Sequence, residues 1–150
     1  MSGLAGDIQA TPAQVVDRAI ALKIARPGDR ICVAGPSGLA ATVALCRRGF
    51  DRVECALEAT SHGADESGDL LLVVGQMTAG DLAATVRRTV RLLRDGGALM
   101  IQLASPGDGA TVRNVLAALR YSIGSVLIDR AQGRLVTYTL NRPAPLRKAG

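Results

Sequence analysis

The sequence predicts a three-layer α/β sandwich whose sheet is mostly parallel and ends in an antiparallel C-terminal edge hairpin. Three observations carry this. From residue 11 onward, apolar runs of strand length alternate with stretches of helical periodicity. One run, Asp69 to Val74, is unbroken, as expected of a strand buried on both faces at the sheet centre. Two β-rich runs, Ile123 to Arg130 and Arg134 to Asn141, flank the turn Ala131-Gln132-Gly133 and read as a hairpin.

Residues 1–10 are small and polar and are expected to be disordered. Thr11-Pro12-Ala13-Gln14 is a helix start: Thr11 can accept from the amide of Gln14, Gln14 can return the bond, and Pro12 suits the first turn. The helix runs on through Val15, Val16, Ala19, Ile20, Leu22 and Ile24 until Arg26-Pro27-Gly28-Asp29 stops it. Arg30 to Ala34 is a short strand, Gly35-Pro36-Ser37-Gly38 a glycine turn, Leu39 to Arg48 a helix closed by Gly49, and Arg52 to Leu57 a second strand. Strand, turn, helix and strand make a βαβ unit. Residues 59–68 read as loop. After the central strand a helix is expected from Thr78 to about Arg94, with Leu82, Val86, Val90 and Leu93 on one stripe and Asp95-Gly96-Gly97 as its stop. A strand over Ala98 to Leu103 and a helix over Thr111 to Arg120 complete the series before the hairpin. The domain thus spans 11–141, and 142–150 is expected to be a loose tail.

At 150 residues the chain has the size of one domain. With 48% hydrophobic and 21% charged residues, it is too apolar for disorder. It holds no Trp, one Phe and two Tyr, so there is little to stack on nucleobases and nucleic-acid binding is disfavoured. The net charge of +5 comes almost wholly from Arg, with Lys23 and Lys148 the only lysines, which fits a GC-rich bacterial genome as readily as an anionic partner. Arg87, Arg88, Arg91 and Arg94 fall near one helical face, opposite the apolar stripe, where solvated charge belongs. Cys32, Cys46 and Cys55 lack metal-ligand spacing, lie in apolar elements and are expected to be buried free thiols of a reducing compartment. No signal segment and no apolar stretch of about 18 residues is present, so a cytoplasmic protein without a membrane span is expected.

Four stretches resemble class I S-adenosylmethionine-dependent methyltransferases. Arg26-Pro27-Gly28-Asp29-Arg30-Ile31 resembles the family's lead-in to its first strand. Gly35-Pro36-Ser37-Gly38 stands where the glycine-rich cofactor loop would be. Asp69 to Val74 resembles the fourth-strand phrase, and Leu92 to Leu99 resembles the "LLkpGGlLvi" phrase. The closing hairpin matches the family's last two strands. The resemblance implies S-adenosylmethionine as cofactor, with Gly35, Ser37, Gly38, Glu58 and Gln76 as its candidate contacts. Independently of the family, glycines after a buried parallel strand let backbone approach a ligand at a helix N-terminus, although they serve equally for a tight turn and close packing.

The departures are as informative. Val33 and Ala34 stand where the family has an acid at its first strand. Glu58 lies one residue beyond the place of the ribose-binding acid, which Leu57 occupies, and Glu54 is a weaker candidate. The helix and third strand that the family places before its fourth strand have no room, since only about ten loop residues make that crossing. Position alone offers Asp65 or Glu66 as a substitute for the acid lost with that segment. No general base, nucleophile or metal cluster can be assembled, and His62 reads as a solvated loop residue. A second resemblance, Val33 to Arg48 with Glu58-Ala59, is to the dinucleotide-binding start of flavoprotein oxidoreductases and implies flavin or NAD binding over about 28 residues.

Two functions follow as expectations. One is a degenerate methyltransferase-like domain, non-catalytic, acting as a regulatory or protein-interaction module. The other is an active small methyltransferase whose pocket is completed by a loop or a partner. With the third strand region missing, the second strand is left as a sheet edge, through which a protein partner or a second copy is expected to pair.

Overall fold

A computed structural model describes residues 9–56, 66–105, 107–130 and 134–143. The local signals set most of its elements. Helix α1 (Pro12–Ala21) opens on the expected capping box: the Gln14 amide donates to Thr11 Oγ1 at 3.2 Å and the Thr11 amide to Gln14 Oε1 at 2.8 Å. Strand β1 (Ile31–Ala34), helix α2 (Gly38–Arg47) and strand β2 (Val53–Cys55) form the first βαβ unit. Strand β3 (Gly68–Val73) follows, then helix α3 (Ala79–Thr89), capped by Thr78, whose hydroxyl accepts from the Asp81 amide. Strand β4 (Leu93–Gln102), helix α4 (Asp108–Ala118) and the hairpin of β5 (Ser122–Asp129) and β6 (Leu135–Asn141) complete the chain.

The sheet has the order β2-β1-β3-β4-β6-β5. Strands β1 to β4 run parallel, β6 is antiparallel to β4, and β5 is antiparallel to β6. The pleat sends alternate residues to opposite layers. Ile31, Val33, Leu70, Leu72, Val74 and Met100 pack under α1 and α2, whereas Leu71, Val73, Leu99, Ile101 and Tyr138 pack under α3 and α4. Leu70 to Val74 are all fully buried, as the unbroken run predicts. Among the described residues no strand or helix stands between β2 and β3, and β2 is an edge.

Several boundaries differ from the sequence reading. Helix α3 ends at Thr89, a single 3-10 turn covers Val90–Leu92, and β4 begins at Leu93, so Asp95-Gly96-Gly97 lies inside a strand. The reason is non-local. Leu93 pairs with Gly68 while Ala98 pairs with Leu70, so residues 94–97 bulge, and a Cβ at Gly97 would lie 3.0 Å from the Arg94 carbonyl oxygen and 3.2 Å from that of Gly68. Strand β2 is shorter than expected, and Leu57 lies outside the described residues. Cys46 is exposed, contrary to the expectation of burial, because it falls off the Ala41, Ala44 and Leu45 stripe of α2; Cys55 is half-buried and Cys32 buried, and all three are free.

The ends of the domain are held by side chains remote in sequence. Ala10 is buried, and its carbonyl accepts from Gln102 Nε2 at 2.8 Å. Arg142 donates to the carbonyls of Arg91 and Leu93, pairs with Glu66 at 2.9 Å and lies over the Tyr121 ring. Residues 1–8 and 144–150 lie outside the described residues. Among the described residues, no helix is long and apolar enough to cross a membrane.

Candidate functional site

In an open parallel sheet the ligand crevice lies beyond the carboxyl ends of the strands, where the chain leaves one strand to one side and returns on the other. Here that point is between β1 and β3, since the chain goes from β1 to β2 and then returns to the far side of β1. The glycine turn after β1 stands there as expected. Its backbone, however, is joined to the end of β3. The Val74 amide donates to the Ala34 carbonyl at 3.0 Å, and the Ser37 amide donates to the Val74 carbonyl at 3.0 Å. Pro36 has no N–H to offer, so the ladder skips it and is taken up by Ser37 one residue later. Gly35 absorbs the extra residue at φ 97° and lies so close to Val74 that a Cβ there would clash with its carbonyl oxygen.

From the opposite loop, Gly75 closes on the same turn. Its φ is 111°, and a Cβ there would meet the Ser37 amide nitrogen at 2.8 Å and Ser37 Oγ at 2.9 Å. The Gly75 amide is taken by buried Gln102, whose Oε1 accepts it at 2.9 Å. The Gly38 amide donates back to the Gly35 carbonyl at 3.0 Å. Two of the amides that a helix N-terminus offers an anion are therefore spent inside the protein. Gly38 itself needs no special backbone, and a Cβ there would touch Cys55 Sγ at 3.4 Å.

Beside this joined turn lies a cleft of about 400 Å³, on the α3 face of the sheet. Gly35, Pro36, Ala56 and Met77 line its strand side, and Asp81, Ala84, Thr85 and Arg88 of α3 its helix side. Asp81, Thr85 and Arg88 are spaced by four and three residues and so share one helical face. Arg88 reaches Thr85 Oγ1 at 3.5 Å. Sequence reading passed over this stripe because its spacing is that of any solvated helix face; only the packing of α3 turns it toward β1.

The candidates named from sequence separate accordingly. Gly35, Ser37 and Gly38 come together at the switch point, Gln76 is exposed on the loop after β3, and Glu58, with His62 and Asp65, lies outside the described residues. Glu54 is exposed on β2. Gln102, which occupies the end of β4 and ties Gly75 to Ala10, was missed. Nothing local marks it, because its partners are 27 and 92 residues away. Burial, with Glu54 adding to it, pushes the Cys32 thiol up to about 11, which leaves it protonated and unreactive near neutrality. Among the described residues no cluster of His, Cys, Asp and Glu could hold a metal ion.

The chain matches no family model and no curated protein. Its likeness is to solved structures. A candidate S-adenosylmethionine-dependent methyltransferase from Methanococcus maripaludis superposes with a TM-score of 0.58 at 15% identity, covering 91% of this chain and 86% of that one. A TehB-like S-adenosylmethionine-dependent methyltransferase from Corynebacterium glutamicum gives 0.57 at 14%, covering 91% of each chain. The geranyl diphosphate C-methyltransferase of Streptomyces coelicolor, solved with Mg²⁺, geranyl diphosphate and S-adenosylhomocysteine, gives 0.53 at 11%, covering 86% and 79%. With its sheet order and antiparallel hairpin, the chain has the class I methyltransferase-like fold.

Proposed function

We propose that this chain is a methyltransferase-like domain without catalytic activity that serves as a regulatory or protein-interaction module. The observation that carries the reading is the joined turn. At the switch point Gly35, Ser37 and Gly75 fill with backbone the space that glycines elsewhere keep open for a ligand. The Ser37 amide is taken by the Val74 carbonyl and the Gly38 amide by that of Gly35, so neither is free to hold a cofactor at the start of α2. Val33 and Ala34 supply no acid at β1, and among the described residues lining the cleft the one carboxylate is Asp81, exposed on α3.

Calorimetric titration with S-adenosylhomocysteine at millimolar ligand tests this. The expected outcome is no heat and no thermal shift; micromolar affinity would overturn the reading. One observation favours a second reading, that of a small active methyltransferase. The cleft of about 400 Å³ has the volume of ordinary small-molecule sites, and Asp81, Thr85 and Arg88 give it polar groups. Under that reading S-adenosylhomocysteine binds and Arg88→Ala weakens it.

A further inference from the structure

The sheet has two free edges among the described residues, and they differ in chemistry. Strand β2 offers three residues, with Glu54 exposed between half-buried Val53 and Cys55, and with Asp51 and Arg52 exposed before it. Strand β5 offers eight, and Val126, Leu127 and Ile128 are 51%, 44% and 54% exposed. No charge and no proline occurs from Ser122 to Ile128. Edge strands in soluble proteins are ordinarily blunted by such residues or by bulges. Here the protection is confined to the two ends. A bulge at Gly124 breaks the register between Ile123 and Ser125, and Asp129 is turned onto Arg18, its Oδ2 accepting from Nε at 2.7 Å. Between them the ladder with β6 is regular, from Ser125 opposite Thr139 to Asp129 opposite Leu135.

We infer that β5 pairs with β5 of a second copy of this chain, antiparallel, about a two-fold axis through Leu127. The regular window Ser125–Asp129 is centred on that residue. Leu127 then meets its own copy, Val126 stands opposite Ile128, and Ser125 stands opposite Asp129. Directly opposed residues share a face. Val126 and Ile128 sit across from Tyr138 and Val136 on β6, so the pairing extends that apolar face, while the Leu127 pair covers the other face beside Thr137. Moving the axis to Val126 would leave Leu127 opposite Ser125 and Ile128 opposite the Gly124 bulge. Moving it to Ile128 would set Leu127 opposite Asp129 and Val126 opposite Arg130. Only the Leu127 axis matches apolar to apolar throughout, and in it no charge meets one of its own sign. A stretch that is uncharged from Ser122 to Ile128 and self-matching fits another copy of itself better than it fits a charged partner. Three apolar side chains per copy are far fewer than a standard interface of about 1,600 Å² provides, so the dimer is weak and reversible.

This deepens the interaction-module reading by naming the surface and the partner. It rests on that reading for its use only, since a failed dimer assay would leave the cofactor titration untouched. Sedimentation velocity on the full chain from about 10 µM to about 1 mM spans the range in which weak interfaces dissociate. Wild type is expected to shift from monomer toward dimer. Leu127→Glu and Leu127→Lys, each confirmed as folded by circular dichroism, are expected to stay monomeric, because the two-fold places like charges face to face. Mixing the two variants is expected to restore the dimer, which a surface away from the axis would not do. The inference is overturned by a wild type that stays monomeric throughout, by a dimer that Leu127→Glu leaves intact, by variants that fail to reassociate on mixing, or by a dimer that Val53→Pro on β2 abolishes.

Discussion

At Gly35 a methyl group has nowhere to go: the backbone is left-handed at φ 97°, and a Cβ there would clash with the Val74 carbonyl oxygen. Gly38, three residues on, has no left-handed backbone, and its missing Cβ would meet Cys55 Sγ at 3.4 Å and Val33 Cγ1 at 3.7 Å. Left-handed strain of about 1–2 kcal/mol and overpacking of about 1–3 kcal/mol together predict that Gly35→Ala destabilises by about 2–5 kcal/mol with no ligand present. Gly38→Ala is predicted to change stability by less than about 1 kcal/mol, since alanine is the better helix former and offsets the crowding. Urea denaturation of both variants checks this, and equal small effects would show that the turn is not joined to β3. Both glycines were legible in the sequence as a pair after a buried strand. Their different reasons were not, because one depends on a neighbouring strand about 40 residues away, as the Ser37–Val74 bond shows.

The start of α1 is written locally and its end is not, whereas α2 closes at the expected Gly49 and α4 starts at Asp108, three residues before the expected Thr111. Thr11 and Gln14 sit within one turn, so a four-residue phrase was enough to place the start of α1. Its end was read too late, at the Arg26–Asp29 turn, because the true terminator carries no glycine. Lys23 adopts φ 61°; its amide donates to the Ile20 carbonyl, and the Ile24 amide donates to that of Ala19. Helix α4 closes in the same way through Arg120 at φ 67°, and α2 through Gly49 at φ 92°. All three are the paired-bond ending in which glycine is the favoured left-handed residue. Lys23→Gly and Arg120→Gly are therefore predicted to raise stability by about 0.5–1 kcal/mol each, the relieved strain exceeding the extra entropy of the unfolded chain. Gly49→Ala, with nothing within 4 Å of its Cβ position, is predicted to lower stability by a similar amount through backbone strain alone. Chemical denaturation of the three variants reads both signs, and a loss at Lys23→Gly would mean that the lysine side chain contributes more than its backbone costs.

For the molecule as a whole, the order of apolar runs was enough to give the layers and the parallel-then-antiparallel sheet, because burial on two faces, on one face or on none leaves a different periodicity in each strand. Which edge of the sheet is the more exposed was not legible that way. The β5 residues alternate no more openly than those of β2, and the exposure of Val126 and Ile128 shows only once the strand is placed in the sheet. The same contrast sets where the fold opens. Leu70–Val73 in β3 are buried on both faces and hydrogen-bonded on both sides, between β1 and β4. Their amides, with those of Ile31–Ala34 and Leu99–Ile101, are predicted to exchange with solvent hydrogen only through global unfolding. Amides of β2 and β5 exchange through local opening, which leaves the core intact. If β5 pairs with its copy, the outward amides of Ser125–Asp129 acquire partners, and raising the protein concentration must slow them. Core amides gain only the small mass-action increment that dimerisation adds to global stability. Hydrogen–deuterium exchange at a low and a high protein concentration should therefore show the rate at Ser125–Asp129 falling relative to that of β3. A fall at Val53–Cys55 instead, or an unchanged ratio, would remove β5 as the pairing edge.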